Sequence, residues 1–326
     1  MTGSPHLSVV VICRNQRDRV LACVRSILRE VVPLQVPFEL LVIDSASTDG
    51  TREALAEMPV RWVGLEESPL LCASLGRKVG TDTASGSHIL FLDGDMELEP
   101  GFLSAAREAI GGLEGVAGIV GQVFEKDPSV PGGRRDIYRI RKEGKADKFG
   151  GAVLFSRRSL LRAGGYDPYI FNREENELYS RIRSAGEAVW QIPVPMALHH
   201  DPPASLAEKV FREILPGRKR PLGRAQAFLR AFRKGNLLSY VRQERLFFLS
   251  LAADAASAAA LWFFPHPTGW RALAALQAGS FAMHGFAWSF GQYLLNKLAL
   301  VQFLVGLFVA PGLLRRPPPA VSEASR

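Results

Sequence analysis

Two aspartates separated by one glycine, Asp93 and Asp95, close the run HILFLDGDMELEP between His88 and Pro100. On an extended chain such a pair lies about 7 Å apart and projects to one side. Like charges so placed repel unless a cation sits between them and whatever they face. A hard divalent ion suits them, because Mg2+ takes one or two carboxylates together with substrate phosphates. A polar turn, with Gly94 supplying an unusual backbone angle, would use the same three residues. The neighbouring stretches bear on that choice. VIDSASTDGT places Asp44 at the end of another apolar run, and GRKVG places Arg77 on the preceding helix. A carboxylate for a base or ribose, a cation and a metal-binding pair at one sheet edge describe a nucleoside-diphosphate site.

Those side chains need a scaffold. LSVVVI, FELLVID, VRWVGL and HILFLD are short, unbroken apolar runs and read as buried strands. Between them, RDRVLACVRSIL carries apolar residues at helical spacing, STDGTREALAEM starts with capping residues, and SPLLCASLGRKVGTDTA opens on Pro. Strand–helix alternation of this kind predicts an α/β fold with a parallel sheet covered on both faces. Ligands bind beyond the carboxyl ends of such strands, where Asp44 and Asp93 fall. Farther on, GVAGIVGQVF and GGAVLFS read as strands, and NREENELYSRIRSAG as a helix closed by Gly186.

With 47% hydrophobic and 22% charged residues, the chain is neither disordered nor fibrous. Its net charge of +8 is local. Residues 205–245 hold eleven lysines and arginines against three acids, so the remainder sums to zero. Three scattered cysteines, Cys13, Cys23 and Cys72, suit a reducing compartment and give no metal spacing. The first apolar run lacks the flanks of a signal peptide and reads as a strand. After Arg245 the composition turns apolar. LFFLSLAADAASAAALWFF, ALAALQAGSFAMHGFAWSF and LALVQFLVGLFVAPGLL predict two or three membrane segments, two full spans being favoured by basic residues at both ends. The basic stretch then reads as juxtamembrane and attracted to anionic lipids. No nucleic-acid module is legible, so nucleic acid is not an expected partner.

Six stretches together resemble a family 2 glycosyltransferase of the GT-A fold, a Rossmann-like mixed sheet flanked by helices. They are LSVVVICRNQ, LLVIDSASTDGT, GRKVGTDTASGSHILFLDGDM, GGAVLFSRRSLLRAGGYD, REENELYSRIRSAG and a histidine after the next strand, in the family's order over about residues 7–200. The resemblance implies that Asp44 contacts the base or ribose and that Arg77 lies near the nucleotide. It implies that Asp93 serves ribose or metal, that Asp95 holds Mg2+ or Mn2+, and that Glu175 of the pair Glu174–Glu175 is the general base. It also implies a histidine at metal or diphosphate; His200 is chosen, with His199 the alternative.

Three positions depart from the family's pattern: Ser45 and Lys78 replace an aspartate and an asparagine, and the base is Glu rather than Asp. Lys78 is expected to alter nucleotide choice or add a phosphate contact. The expected domains are a glycosyltransferase domain (1–204), a basic juxtamembrane segment (205–245) and membrane-associated helices (246–326). The expected activity is inverting, metal-dependent transfer from a nucleotide sugar to a lipid-linked or cell-surface glycan, at the cytoplasmic face of an inner membrane. A processive synthase lacks its Gln-x-x-Arg-Trp stretch here, and a nucleotidyltransferase lacks a glycine-rich loop after the first strand. A non-catalytic membrane scaffold is the reading from a different class.

Overall fold

A computed structural model describes residues 7–111, 113–200, 208, 222–263, 270–278, 297, 299–308 and 319–324. It divides into two compact units, residues 1–203 with 315–326, and residues 204–314.

The first unit is built on one mixed sheet. Four runs read as strands form β1 (Leu7–Cys13), β2 (Phe38–Asp44), β3 (Arg61–Leu65) and β4 (His88–Asp93). They are parallel, in the order β3–β2–β1–β4. Alternation of side chains across each strand explains their unbroken apolarity. Val9, Val11, Val42 and Leu90 pack with Val20, Val24 and Ile27 of α1 (Arg17–Val31). Val10, Leu41, Ile43 and Phe91 pack on the other face with Leu75 of α3 (Ala73–Thr83). The helix expected from STDGTREALAEM is short: α2 covers only Thr51–Leu55. Asp49 starts both it and α1, accepting from the Thr51 and Arg17 backbone N–H groups at 3.1 and 3.0 Å.

Beyond β4 the direction changes. The chain passes through β5 (Met96–Leu98), α4 (Phe102–Gly111) and β6 (Val116–Lys126). Next come β7 (Arg134–Asp136), β8 (Gly144–Lys145), β9 (Val153–Ser156), α5 (Arg157–Arg162) and α6 (Glu174–Ser184). β10 (Ala188–His199) follows. β9 enters antiparallel to β4 and β6, and β10 runs parallel to β6 with interrupted register. The all-parallel expectation therefore holds for β1 to β4, and beyond them parallel and antiparallel pairs mix. A strand absent from the sequence reading, β11 (Val321–Ala324), pairs antiparallel with β3 and covers that edge.

The second unit contains α7 (Gly223–Arg233), α8 (Leu237–Gln243), α9 (Arg245–Phe263) and helical segments over 270–278 and 299–308. Ala225, Phe247, Leu300 and Phe303 form its core, with edge-to-face rings such as Phe247–Phe303 at 5.3 Å.

The membrane-spanning expectation is not supported. Among the described residues, no helix is long and apolar enough to cross a membrane. The first expected span forms α9, but Asp254 near its middle pairs with Lys297 at 2.5 Å. Most of the second expected span and both ends of the third lie outside the described residues. Part of the basic charge of 205–245 is also used internally, because buried Arg224 bonds Glu244 at 3.3 Å. Lys209, Arg212, Arg218, Lys219 and Arg220 of that stretch lie outside the described residues.

Candidate active site

Register brings the two strand-end aspartates to either side of β1: Asp44 lies opposite Cys13, and Asp93 opposite Ile12. They face different cavities. Asp44, Trp62, Gly64 and Arg52 line one of about 310 Å3. Asp93, Asp95, Arg14, Gln16 and Ser45 line another of about 250 Å3. Ser45 thus lines one cavity, while Asp44 before it and Ala46, Ser47 and Thr48 after it line the other. Asp44 is buried and held by neutral donors. Ser47 donates its backbone N–H (3.0 Å) and hydroxyl (2.5 Å) to Oδ1, and the Trp62 indole donates to Oδ2 at 3.3 Å. Arg52 stacks over the Trp62 ring at 4.5 Å.

Asp93 and Asp95 do not project from one extended chain. β4 ends at Asp93, the Gly94 N–H bonds the Ile12 carbonyl at 2.9 Å, and the chain turns into β5. The carboxylates diverge but both line the smaller cavity. Asp93 accepts from Arg77 Nη2 at 2.7 Å. Asp95 Oδ2 accepts from Gln16 Nε2 at 3.2 Å and faces His199 Nε2 at 3.4 Å. Burial works against ionisation of Asp95, but the His199 and Gln16 contacts outweigh it and hold its pKa below the usual carboxylate value.

Arg77, expected near a nucleotide, is buried to 2% exposure among three carboxylates. Besides Asp93, its Nη1 donates to Glu174 at 2.8 Å and to Glu175 at 3.1 Å. The Tyr166 ring lies 5.5 Å from the guanidinium. Burial disfavours the charge, yet Asp93 and Glu175 hold the guanidinium pKa well above its usual value. Glu175 is pushed up to about 7, chiefly by burial and then by Glu174, with Arg77 opposing. A carboxylate poised there can accept a proton near neutral pH. The two glutamates start α6 behind Arg173, whose φ of 69° is left-handed.

Lys78, one residue beyond Arg77, lines neither cavity and pairs with Asp82 one helical turn on. One position rotates a side chain by about 100° around a helix, so neighbours cannot share a face. The histidine choice also changes. His200 Nε2 bonds Glu97 at 2.5 Å and its Nδ1 lies 2.9 Å from Lys126 Nζ. An ammonium only donates, so Nδ1 accepts and Nε2 carries the proton to Glu97. His199, not His200, reaches Asp95, because successive side chains of a strand point to opposite faces.

Sequence reasoning passed over Gln16 and Trp62, which no motif marks. It also passed over Tyr138. A methyl added at Gly150 would collide with the Tyr138 hydroxyl, and one at Gly151 with the Asp93 carboxylate. The GG of FGGAVLF thus admits two polar heads side by side. Burial raises the Tyr138 pKa, and Glu175 and Asp93 raise it further.

The residues fit a divalent metal. Asp95 Oδ1 is buried with no hydrogen-bond partner among the described residues, an acceptor left open beside Asp93 in the same cavity. Among the described residues, no group of three His, Cys, Asp or Glu could by itself hold a metal. Hard divalent ions complete such carboxylate sites with substrate phosphates.

Residues 8–162 match the model of the family described as Glycosyl transferase family 2. A glycosyltransferase of Haloferax volcanii, AglE, is 28% identical over 111 residues, 33% of this chain. The matched region takes in only 36% of the length of that curated relative. Among solved structures, the mannosyltransferase PcManGT of Pyrobaculum calidifontis, in complex with GDP-Man and Mn2+, superposes with a TM-score of 0.58 at 18% identity. That superposition covers 94% of this chain and 88% of the other. GalNAc-T7 with UDP, GalNAc and Mn2+ gives 0.53 at 15% identity, over 74% and 57%. These likenesses establish the GT-A-type mixed α/β sheet.

Proposed function

We propose that the chain is an inverting, metal-dependent glycosyltransferase that moves a sugar from a nucleotide sugar to a hydroxyl acceptor. One observation carries this reading: a single buried guanidinium, Arg77, bonds both Asp93, which lines the donor cavity, and Glu175 in the first turn of α6. Donor handling and proton removal are thus held within one side chain's reach. The family match, the GDP-Man complex of one structural neighbour and the complex of another with UDP and GalNAc support the donor class.

In this mechanism Asp44 accepts from the base or ribose. Asp95 and Asp93 would hold Mg2+ or Mn2+, which when bound neutralises charge on the departing diphosphate. His199 and Gln16 keep Asp95 ionised and oriented. The acceptor oxygen bonds to the anomeric carbon as the bond to the diphosphate breaks, and Glu175 takes the hydroxyl proton. A single displacement inverts the sugar configuration. Arg77 positions Asp93 and Glu175 and lowers the cost of ionising the base.

The acceptor on this reading is a lipid-linked or cell-surface glycan. The second unit is assigned to the cytoplasmic face of an inner membrane, lying on anionic lipid rather than crossing it. Its exposed Trp262, Phe263, Trp270 and Phe308 support that placement.

The test is thermal stabilisation of the full chain by a panel of nucleotide sugars with and without Mn2+. One nucleotide class should stabilise the protein only with metal, and Asp95→Asn should abolish the metal dependence. Failure of every nucleotide sugar, or metal-dependent stabilisation that survives Asp95→Asn, would sink the reading.

A further inference from the structure

Outside residues 205–245 the chain's charge sums to zero, but it is not evenly placed. Residues 134–148, RRDIYRIRKEGKADK, hold seven lysines and arginines against three acids. The opposing acids include the site itself: Asp93, Asp95, Glu174 and Glu175. An acidic cleft therefore has a basic neighbour.

That neighbour is pinned in place. Asp136 Oδ1 accepts from the backbone N–H groups of Tyr138 (3.1 Å) and Arg139 (2.7 Å), and its Oδ2 accepts from Arg141 at 2.9 Å. Gln122 donates to the Ile140 carbonyl at 3.0 Å, and Ile140 is buried. Exposed Arg139, between the two, has a left-handed φ of 52°. Downstream, the Tyr179 hydroxyl of α6 donates to the Ala146 carbonyl, and the Ala146 N–H bonds Val189 of β10 at 2.9 Å. Lys145 and Lys148 flank this fixed point.

Position and charge then converge. Lys148 Nζ lies 5.4 Å from the centre of the Tyr138 ring. The Tyr138 hydroxyl packs on Gly150 and the Asp93 carboxylate on Gly151, adjacent residues of one segment. Tyr138 does not line the donor cavity and approaches Asp93 from another side. Of the seven cations, Arg134, Arg135 and Arg141 are ion-paired. Arg139, Lys142, Lys145 and Lys148 are exposed and have no ion pair among the described residues.

We propose that this basic lip binds an acidic group of the acceptor: a carboxylate or phosphate held by Lys148 and its neighbours while the acceptor hydroxyl meets Glu175. The inference rests on the glycosyl-transfer reading of the site and names the acceptor's chemical class. An anionic acceptor that must approach Asp93, Asp95 and Glu175 is repelled unless cations meet it at the rim. An ammonium serves carboxylate and phosphate alike as a point charge.

The test compares binding of para-nitrophenyl glucuronide with para-nitrophenyl glucoside, and of glucose phosphate with glucose, to the full chain by ligand-observed NMR. At low salt, at least one acidic probe should bind about fivefold more tightly than its neutral partner, and added salt should erode the difference. A preference for the glucuronide alone assigns a carboxylate, and one for the phosphate alone assigns a phosphate. The double variant Lys145→Ala/Lys148→Ala should lose the preference, with nucleotide binding unchanged. Equal binding of both pairs, no binding of either acidic probe, or a preference that survives the double variant overturns the proposal. Nucleotide binding is read separately, so failure of the donor reading is distinguishable.

Discussion

Asp44 and Asp93 end the strands on either side of β1, yet their carboxylates are held by different means. Asp44 sits in a web of neutral donors, two from Ser47 three residues away and one from Trp62 on the adjoining strand. Asp93 sits against a buried arginine shared with Glu174 and Glu175, residues almost a hundred positions later in the chain. The first arrangement is local and insensitive to the rest of the site. The second is a charge network in which no member can be removed without leaving others buried and uncompensated. A carboxylate that only has to recognise can be satisfied locally. One that shares a site with a base needs a cation that sees both.

Glu175→Gln tests the network where the effect is largest. Transfer should fall by roughly 100- to 10,000-fold, as for loss of a general base, while nucleotide affinity stays the same. The pH profile adds the sign. With its pKa raised to about 7, Glu175 is protonated below that value and cannot accept a proton. In the native enzyme kcat/KM for the donor should therefore rise with pH up to about 7 and flatten above it, and the rising limb should vanish in the glutamine variant's residual activity. A rate that is flat from acid to neutral pH would remove Glu175 from the base role.

Arg77→Ala comes next. Three carboxylates left around an empty site should cost about 3–5 kcal/mol of stability, read by chemical unfolding. Arg77→Lys should recover part of that but not the simultaneous contacts, because an ammonium lacks the guanidinium fork. Smallest is Asp44→Asn, which turns an amide toward donors and should cost about 1–3 kcal/mol, with weaker nucleotide binding and an unchanged pH profile. Equal losses for Arg77→Ala and Asp44→Asn would erase the contrast between the two aspartates.

The legibility of the two regions differs for the same reason. β1 to β4 are each read from a short apolar run, and their termini follow from where that run stops. Asp44 and Asp93 could therefore be placed at the sheet edge in advance. Glu174 and Glu175 were visible only through the resemblance of a whole set of motifs, since acids at a helix start are ordinary. The choice between His199 and His200 turned on which face of β10 points at the site, and the interrupted pairing of β10 with β6 hides that from any count along the chain. Apolar composition suggested spanning helices after Arg245, but it could not register that Asp254 meets Lys297.

By itself the sequence determined the strands, the family resemblance, and the carboxylates that end the strands, because these depend on patterns within a few residues. Only the tertiary structure decided that Arg77 bridges Asp93 to Glu175, that His199 rather than His200 faces Asp95, and that β11 closes the sheet beside β3. It alone set the basic run 134–148 beside the acidic site. Such features are contacts between distant segments, and a one-dimensional pattern carries neither the distance nor the direction on which electrostatics depends.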